Sequence, residues 1–107
     1  MIKTLYSGNF LNFKSNDNWE YVERVNDVSA VVIMALLPNK RLLLVEQFRP
    51  PMNCSVIELP AGLVGDDTPE SFLDAAKREL FEETGYVAEE WQNVISGPLV
   101  PGISNEC

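Results

Sequence analysis

The sequence predicts an α+β fold in one domain. Short apolar runs separated by polar and glycine-proline clusters fill the first two thirds of the chain, as is typical of β-strands. A single segment, residues 69–84, has apolar residues at the three- and four-residue spacing of a helix. The length of 107 residues is enough for one domain and no more.

Charge and composition exclude several classes of function. Sixteen acidic residues against eight basic ones give a net charge of −8, which argues against a nucleic-acid partner, because such affinity comes from basic residues that neutralise phosphates. No apolar run approaches the ~20 residues that span a membrane, and no signal peptide is recognisable. Cys54 and Cys107 do not form a disulfide framework, so we expect a cytoplasmic protein.

The strand pattern is read from apolar runs and their breaks. We expect strands at 2–13, 19–25, 28–37, 41–48 and 55–59. The polar cluster 14–18 and the turn 38–40 separate strands, and Pro50-Pro51 cannot continue a ladder, because proline has no N–H. The run within 28–37 is rich in Val, Ile and Leu, which predicts a central strand. A glycine-containing loop is expected at 60–67.

The helix has recognisable ends. Thr68 is the expected N-cap with Pro69 at the first helical position, and Gly85 is a natural C-terminal stop. Its predicted buried stripe comprises Phe72, Leu73, Ala76 and Leu80. Residues 86–96 have room for one more strand.

Three carboxylates on this helix are the candidate chemistry. Glu79, Glu82 and Glu83 stand at i, i+3 and i+4, so they project from one face and repel one another. A cation between them would relieve that repulsion, and oxygen ligands suit a hard ion, Mg²⁺ or Mn²⁺. Arg78 precedes Glu82 by four residues and is placed to brace it. The alternative is a solvated acidic face, which is common in acidic proteins.

These residues carry a family resemblance. Residues 78–86, Arg-Glu-Leu-Phe-Glu-Glu-Thr-Gly-Tyr, with Glu70 eight positions before Arg78, resemble the second half of the Nudix signature. The first glycine of that signature would fall at Val64; taking Gly62 instead makes the loop two residues longer, which loops tolerate. A second alignment puts Asp67 in place of Glu70 and lengthens the helix.

The resemblance extends to the ADP-sugar (ADP-ribose) pyrophosphatase branch. Segments 19–24, 47–51, 58–63 and 101–105 are similar to segments of that branch before and after the signature. The resemblance implies a Nudix fold, an α/β/α sandwich with a mixed sheet, at 28–107. It also implies that this domain lacks its C-terminal strands and helix and follows an N-terminal strand region, 1–27, used for dimerisation and adenine contact.

The resemblance also implies residue roles. The catalytic set would be Arg78, Glu79, Glu82 and Glu83, and the metal would be held by these glutamates with the backbone carbonyl of Ala61. Glu70 would help Arg78 to orient the carboxylates. The substrate would be bound by Trp19 stacked on adenine, Glu20 and Arg24 on the nucleotide, Arg49 on a phosphate or the terminal ribose, and Gly102 in the later loop.

Plainer roles remain open for several of these residues. Trp19 could be an ordinary interface aromatic, Arg49 a charge beside a turn, and Gly102 only a turn residue.

Three functional hypotheses follow. The first is Mg²⁺-dependent hydrolysis of the diphosphate bond of an ADP-sugar, giving AMP and a sugar phosphate. The second is hydrolysis of another nucleotide, such as a dinucleoside polyphosphate or a different nucleotide sugar. The third is a truncated, non-catalytic nucleotide-binding remnant, since relatives continue beyond the position of Cys107. The expected partners are a nucleotide sugar and a second copy of the chain in a homodimer.

Overall fold

The computed structural model of the chain describes residues 1–107, and it confirms the α+β class. Seven strands, one short 3₁₀ helix and one α-helix follow in the order β1 Ile2–Ser7, β2 Leu11–Asn16, β3 Trp19–Arg24, β4 Ala30–Val32, β5 Val45–Arg49, the 3₁₀ turn Pro50–Met52, β6 Cys54–Glu58, β7 Ala61–Leu63 and α1 Phe72–Thr84. The strands form a three-stranded sheet β1-β2-β3 and two antiparallel pairs, β4-β7 and β5-β6.

The N-terminal region is an antiparallel meander. The single strand expected at 2–13 is wrong, because the chain turns at Gly8, whose N–H donates to the carbonyl of Leu11 at 2.8 Å. The expected turn 14–18 is shorter than predicted: β2 continues to Asn16, and Asp17 takes a left-handed conformation with φ 54°, which short polar residues tolerate.

The central strand is much shorter than the apolar run 28–37 suggests. Only Ala30–Val32 forms a regular strand, in register with β7; Ile33 then donates to the carbonyl of Pro60 at 2.8 Å, and Leu36 makes an isolated bridge with Leu42. Pro60 has no N–H to return that bond, so the regular ladder stops there. β7 itself lies inside the segment expected as the loop 60–67, which is therefore wrong in part.

A hairpin carries the next functional residues. The strand expected at 41–48 begins only at Val45, where it pairs with Glu58 of β6, and it runs to Arg49. The prolines end β5 as expected, and the turn closes at Asn53 in a left-handed conformation with φ 52°. Because strand side chains alternate between faces, Arg49, Gln47 and Glu58 share one face of this hairpin.

The helix starts later than predicted. Its N-cap is Ser71, whose hydroxyl accepts the N–H of Asp74 at 3.1 Å, so Thr68 and Pro69 lie in the preceding loop. A hydrogen bond inside this loop stabilises it: the carboxylate of Glu70 accepts the N–H of Gly65 at 3.1 Å. The C-terminal stop is confirmed: Gly85 has φ 75° and caps the carbonyl of Phe81.

The core lies between α1 and the strands β4 and β7. It contains the buried residues Ile33, Ala76 and Leu80, with Trp91 and Leu43 among the half-buried residues around them. Only part of the predicted helical stripe is buried, since Phe72 is 60% and Leu73 45% exposed. No strand forms in 86–96; instead Trp91 packs on the core and donates to the carbonyl of Ala88 at 3.0 Å.

Much apolar surface remains uncovered. The exposed residues of the N-terminal sheet and its turn include Leu5, Tyr6, Phe10, Leu11 and Phe13, with Phe10 81% exposed. Both cysteines are free and exposed. The structure contains no helix with the length and apolar character needed to cross a membrane.

Candidate active site

Arg78 is the centre of the site. Its Nε and Nη2 atoms donate to the two carboxylate oxygens of Glu70 at 3.1 and 2.6 Å, and Nη1 donates to Glu79 at 2.8 Å and to Glu82 at 3.1 Å. Nη2 also donates to the carbonyl of Leu63 on β7 at 3.0 Å. The expected brace on Glu82 is therefore present, and one guanidinium fixes three carboxylates against the strand.

Glu70 is the acidic partner on the loop before the helix. Its carboxylate also accepts the N–H of Gly65, while Asp67 makes no hydrogen bond to Arg78. The hydrogen bonds from Arg78 lower the pKa of Glu70, and the backbone donor from Gly65 lowers it further. The geometry thus favours Glu70 over Asp67 as the partner of Arg78.

Glu79 lies directly over β7. Its side chain is 14% exposed, and a Cβ atom added to Gly62 would overlap its carboxylate. Only glycine leaves room for a side chain that approaches the strand this closely. Gly62, chosen above as the first glycine of the signature, therefore has a direct steric role at the site.

Glu83 lies one turn further along the same face. It accepts the N–H of Ala61 at 3.2 Å. Desolvation raises the pKa of its carboxyl group, the Ala61 hydrogen bond opposes that rise, and the negative charge of Glu79 adds to it. Two carboxylates are thus held beside the Ala61-Gly62 backbone although they repel each other.

Arg49 reaches the edge of this region from the β5-β6 hairpin. Its Nε and Nη2 donate to the two carboxylate oxygens of Glu58 at 2.7 and 3.1 Å. This hydrogen bonding lowers the pKa of Glu58, and the charges of both residues act on Glu83. Arg49 is therefore paired with a carboxylate beside the turn, and its contact with a phosphate or ribose stays a prediction.

The N-terminal candidates form a separate group. Trp19 is 63% exposed and donates its Nε1–H to the carbonyl of Gly102 at 3.1 Å, so these two candidates are brought together. Arg24 pairs with Glu106 at 3.2 Å, and Glu20 has no polar partner. Strand alternation puts Trp19 on one face of β3 and Glu20 and Arg24 on the other. No hydrogen bond or ion pair joins this group to the helix carboxylates.

Two of the three helix glutamates are arranged to hold a divalent cation. The three helix glutamates do not form a close cluster, because Arg78 lies between Glu79 and Glu82, and no group of three or more candidate ligand side chains is gathered. Glu79 and Glu83 do fit a hard cation: they are like-charged oxygen donors held together against a strand, with a raised Glu83 pKa that a cation would relieve. A cavity of about 430 Å³ lies on the Arg78 side, lined mostly by acidic residues.

Comparison with known proteins identifies the family. The model of the NUDIX domain matches residues 26–99, and the chain belongs to this family. A Nudix hydrolase of Schizosaccharomyces pombe, described as uncharacterized, is 44% identical over 94 residues, covering 81% of this chain and 45% of that protein. An ADP-sugar pyrophosphatase of Mus musculus is 43% identical over 75 residues, covering 69% of this chain and 33% of the relative.

Other relatives differ in the nucleotide they are named for. A GDP-mannose pyrophosphatase of Yersinia enterocolitica is 31% identical over 98 residues, covering 81% of this chain and 50% of the relative. A crystal structure of an ADP compounds hydrolase matches the fold with a TM-score of 0.77 at 18% identity, covering 99% of this chain and 60% of that one. The chain spans half or less of the length of these three curated relatives.

Two residues of the site were not singled out as candidates from the sequence. Glu58 is the partner of Arg49, and the hairpin register that puts both on one face is not visible in composition or spacing. Leu63 contributes only its carbonyl, which no side-chain motif reports. A period-two reading of β5 and β6, aligned across the Pro50-Pro51 turn, is the one signal that could have paired Arg49 with Glu58.

Proposed function

We propose that the chain acts as the metal-binding part of a hydrolase that cleaves the diphosphate bond of an ADP-sugar such as ADP-ribose, giving AMP and a sugar phosphate. The observation that carries this proposal is the Arg78 hydrogen-bond network, which holds Glu79 over Gly62 beside Glu83. The named activity of the mouse relative supports the choice of an ADP-sugar.

In this proposal, Glu79 and Glu83 hold a divalent cation with the Ala61 carbonyl as a further ligand, while Glu82, whose carboxylate is bound by Arg78, orients that arginine beside the metal. Nudix hydrolases generally use divalent metals, and the all-oxygen donor set favours Mg²⁺, with Mn²⁺ as the alternative. When bound, the metal neutralises charge on the phosphoryl oxygens and makes a water molecule more acidic. Arg78 keeps its carboxylates oriented and so reduces the reorganisation that metal binding requires.

The substrate ends are assigned to other residues. Arg49 binds the anionic diphosphate or the terminal ribose, because its guanidinium lies at the edge of the carboxylate pair. Trp19 stacks on adenine, which its exposed ring permits, and Gly102 holds that ring by its carbonyl. Glu20 and Arg24 contact the nucleotide from the other face of β3. Because Trp19 lies on the opposite face, one subunit does not offer all three side chains to the same ligand.

A homodimer is proposed for that reason. Residues 1–27 serve as the dimerisation and adenine-contact region, and residues 28–107 carry the Nudix chemistry. The exposed apolar side chains of the meander, Leu5, Tyr6, Phe10, Leu11 and Phe13, support an interface larger and more apolar than a transient contact. Light scattering during size exclusion should give a dimer at micromolar concentration. A clean monomer that retains activity contradicts the shared site. We further propose a cytoplasmic location, because both cysteines are free thiols.

A hydrolysis screen tests the function. ADP-ribose, other ADP-sugars, GDP-mannose and a dinucleoside polyphosphate are incubated with the protein and Mg²⁺, and the nucleoside monophosphate released is quantified. ADP-ribose should be preferred. GDP-mannose is the second candidate substrate, because the Yersinia relative is named for it. If the protein prefers GDP-mannose, the ADP-sugar assignment is wrong, but the proposed mechanism of diphosphate hydrolysis is unchanged. Nucleotide binding without turnover of any of them supports the non-catalytic reading.

A further inference from the structure

The ion pair between Arg49 and Glu58 has a geometry that a merely stabilising surface contact does not need. Two guanidinium nitrogens, Nε and Nη2, meet the two carboxylate oxygens at 2.7 and 3.1 Å. The two side chains are 45% and 30% exposed, and ion pairs at that exposure contribute little to folding. What such a pair does supply is direction, because two parallel hydrogen bonds fix the plane of the guanidinium.

The backbone that follows Glu58 is anchored by a buried proline and by hydrogen bonds, and it leads to the Glu79–Glu83 pair. Pro60 is fully buried, and its carbonyl accepts the N–H of Ile33 at 2.8 Å. The next residue, Ala61, donates its N–H to Glu83 at 3.2 Å. Only Leu59 and Pro60 therefore separate Glu58, which anchors Arg49, from Ala61, which holds Glu83. A carboxylate at position 58 keeps a constant relation to the site, whereas the long arginine side chain alone has many rotamers.

The pairing leaves donors free. An arginine has five N–H groups, of which the contact with Glu58 occupies two. The remaining N–H of Nη2 and both of Nη1 are available to an anionic oxygen. The carboxylate thus orients Arg49 without consuming its capacity to bind phosphate.

We propose that Glu58 is a positioning residue, which holds the guanidinium of Arg49 beside the Glu79–Glu83 pair so that its free N–H groups meet the diphosphate of the ligand. The proposal rests on the proposed function for the identity of the ligand, but it concerns binding and does not need turnover. It assigns to Glu58 a role in affinity for the diphosphate, exercised only through Arg49.

The test uses inorganic pyrophosphate with Mg²⁺ as the probe, titrated calorimetrically into the full chain. Glu58→Gln keeps the size of the side chain but offers a single carbonyl oxygen, so the two-bond pairing is lost. We expect Glu58→Gln and Arg49→Gln each to weaken pyrophosphate about tenfold, and the double variant to be no weaker than Arg49→Gln alone, because the residues act as a unit. Glu46→Gln is the matched control: it removes the same charge from the opposite face of the same hairpin and should bind normally.

A charge swap distinguishes a role of Glu58 in orienting Arg49 from a role in stabilising the hairpin. Arg49→Glu combined with Glu58→Arg restores an ion pair, so the thermal unfolding midpoint should return to that of the parent while pyrophosphate stays weakly bound. The proposal is overturned if the swap restores affinity, if Glu58→Gln binds normally, or if the two single effects add. If the parent chain hydrolyses no nucleotide but these binding differences hold, the proposed function fails and the role of Glu58 stands.

Discussion

The carboxylate of Glu79 occupies the space that a side chain at Gly62 would fill. This contact ties the helix to β7 at the position where the chemistry is proposed. It also explains why a small residue is required at that point of the strand, although β-strands otherwise disfavour glycine.

Gly62→Ala should therefore damage activity more than stability. The overlapping atoms are the far end of a flexible side chain, so Glu79 can move away at a cost of about 1 kcal/mol or less. Hydrolysis should fall at least tenfold, because the displaced carboxylate no longer meets its metal position. Gly97→Ala is the control, since a Cβ there meets nothing within 4 Å. Equal activity of the two variants in a steady-state assay contradicts the assigned role of Glu79.

The charged carboxylate of Glu83 should destabilise the folded state when no divalent ion is present. Its pKa is raised above 4.5, so the folded chain holds that proton more tightly than the unfolded one. Stability is therefore lost as the pH rises from 4.5 through the raised value. Glu83→Gln should raise the melting temperature in EDTA by about 2 °C.

Adding Mg²⁺ should separate the thermal stability of the parent from that of the Glu83→Gln variant. It should stabilise the parent, because a ligand that binds only the folded state shifts the unfolding equilibrium, and it should hardly affect the Glu83→Gln variant. Differential scanning fluorimetry over a Mg²⁺ series measures both effects. An equal Mg²⁺-induced shift in the two proteins would remove Glu83 from the metal site.

Glu70 has the opposite pH dependence. Its pKa is lowered, chiefly by the hydrogen bonds from Arg78 and then by Gly65, so its contribution to stability is present above pH 4.5 and is lost as the pH falls through the lowered value. Glu70→Gln should accordingly be less stable than the parent at pH 7, and the difference should shrink at pH 3. Urea unfolding at the two pH values measures it. A difference that does not change with pH means that the charge of Glu70 is not what binds Arg78.

Trp19 should contribute to affinity and not to turnover. Trp19→Ala should weaken ADP-ribose binding by ~1–3 kcal/mol, the usual worth of stacking on a base, with kcat nearly unchanged. Trp19→Phe removes the hydrogen bond to Gly102 but keeps an aromatic face, so it should retain most of the affinity. If the alanine variant keeps the KM of the parent, Trp19 serves only to hold the 102 loop.

Short-range signals predicted much of the helix and the placement of the charged side chains along it. The glutamates, the Arg78–Glu82 brace and the Gly85 stop follow from spacing along one helix and are present as expected. The N-cap is Ser71 and not Thr68, because Glu70 is held in the preceding loop by hydrogen bonds from Gly65 and Arg78. The Glu70–Arg78 contact joins residues eight positions apart. The departure is a tertiary contact overriding a local preference.

Long-range pairing could not be predicted from the same signals. The run 28–37 reads as one buried strand, but Pro60 on its neighbour ends the ladder after Val32. The register of the β5-β6 hairpin, which brings Glu58 to Arg49, depends on a pairing between strands that apolar periodicity does not specify. The candidate substrate residues Trp19 and Arg24 are close in sequence, but strand alternation places them on opposite faces of β3.

The rate of ADP-ribose hydrolysis in Glu83→Gln, with Mg²⁺ and beside the parent, tests the central claim most directly. The substitution keeps the size of the side chain and an acceptor for the Ala61 N–H, so the fold should survive. AMP release should fall by a factor of about 100 or more, which corresponds to about 3 kcal/mol of transition-state stabilisation. Glu90→Gln, which removes the same charge from an exposed position after the helix, should keep the parental rate. If the parent hydrolyses ADP-ribose and the Glu83→Gln variant does so at the same rate, the catalytic role of Glu83 is contradicted.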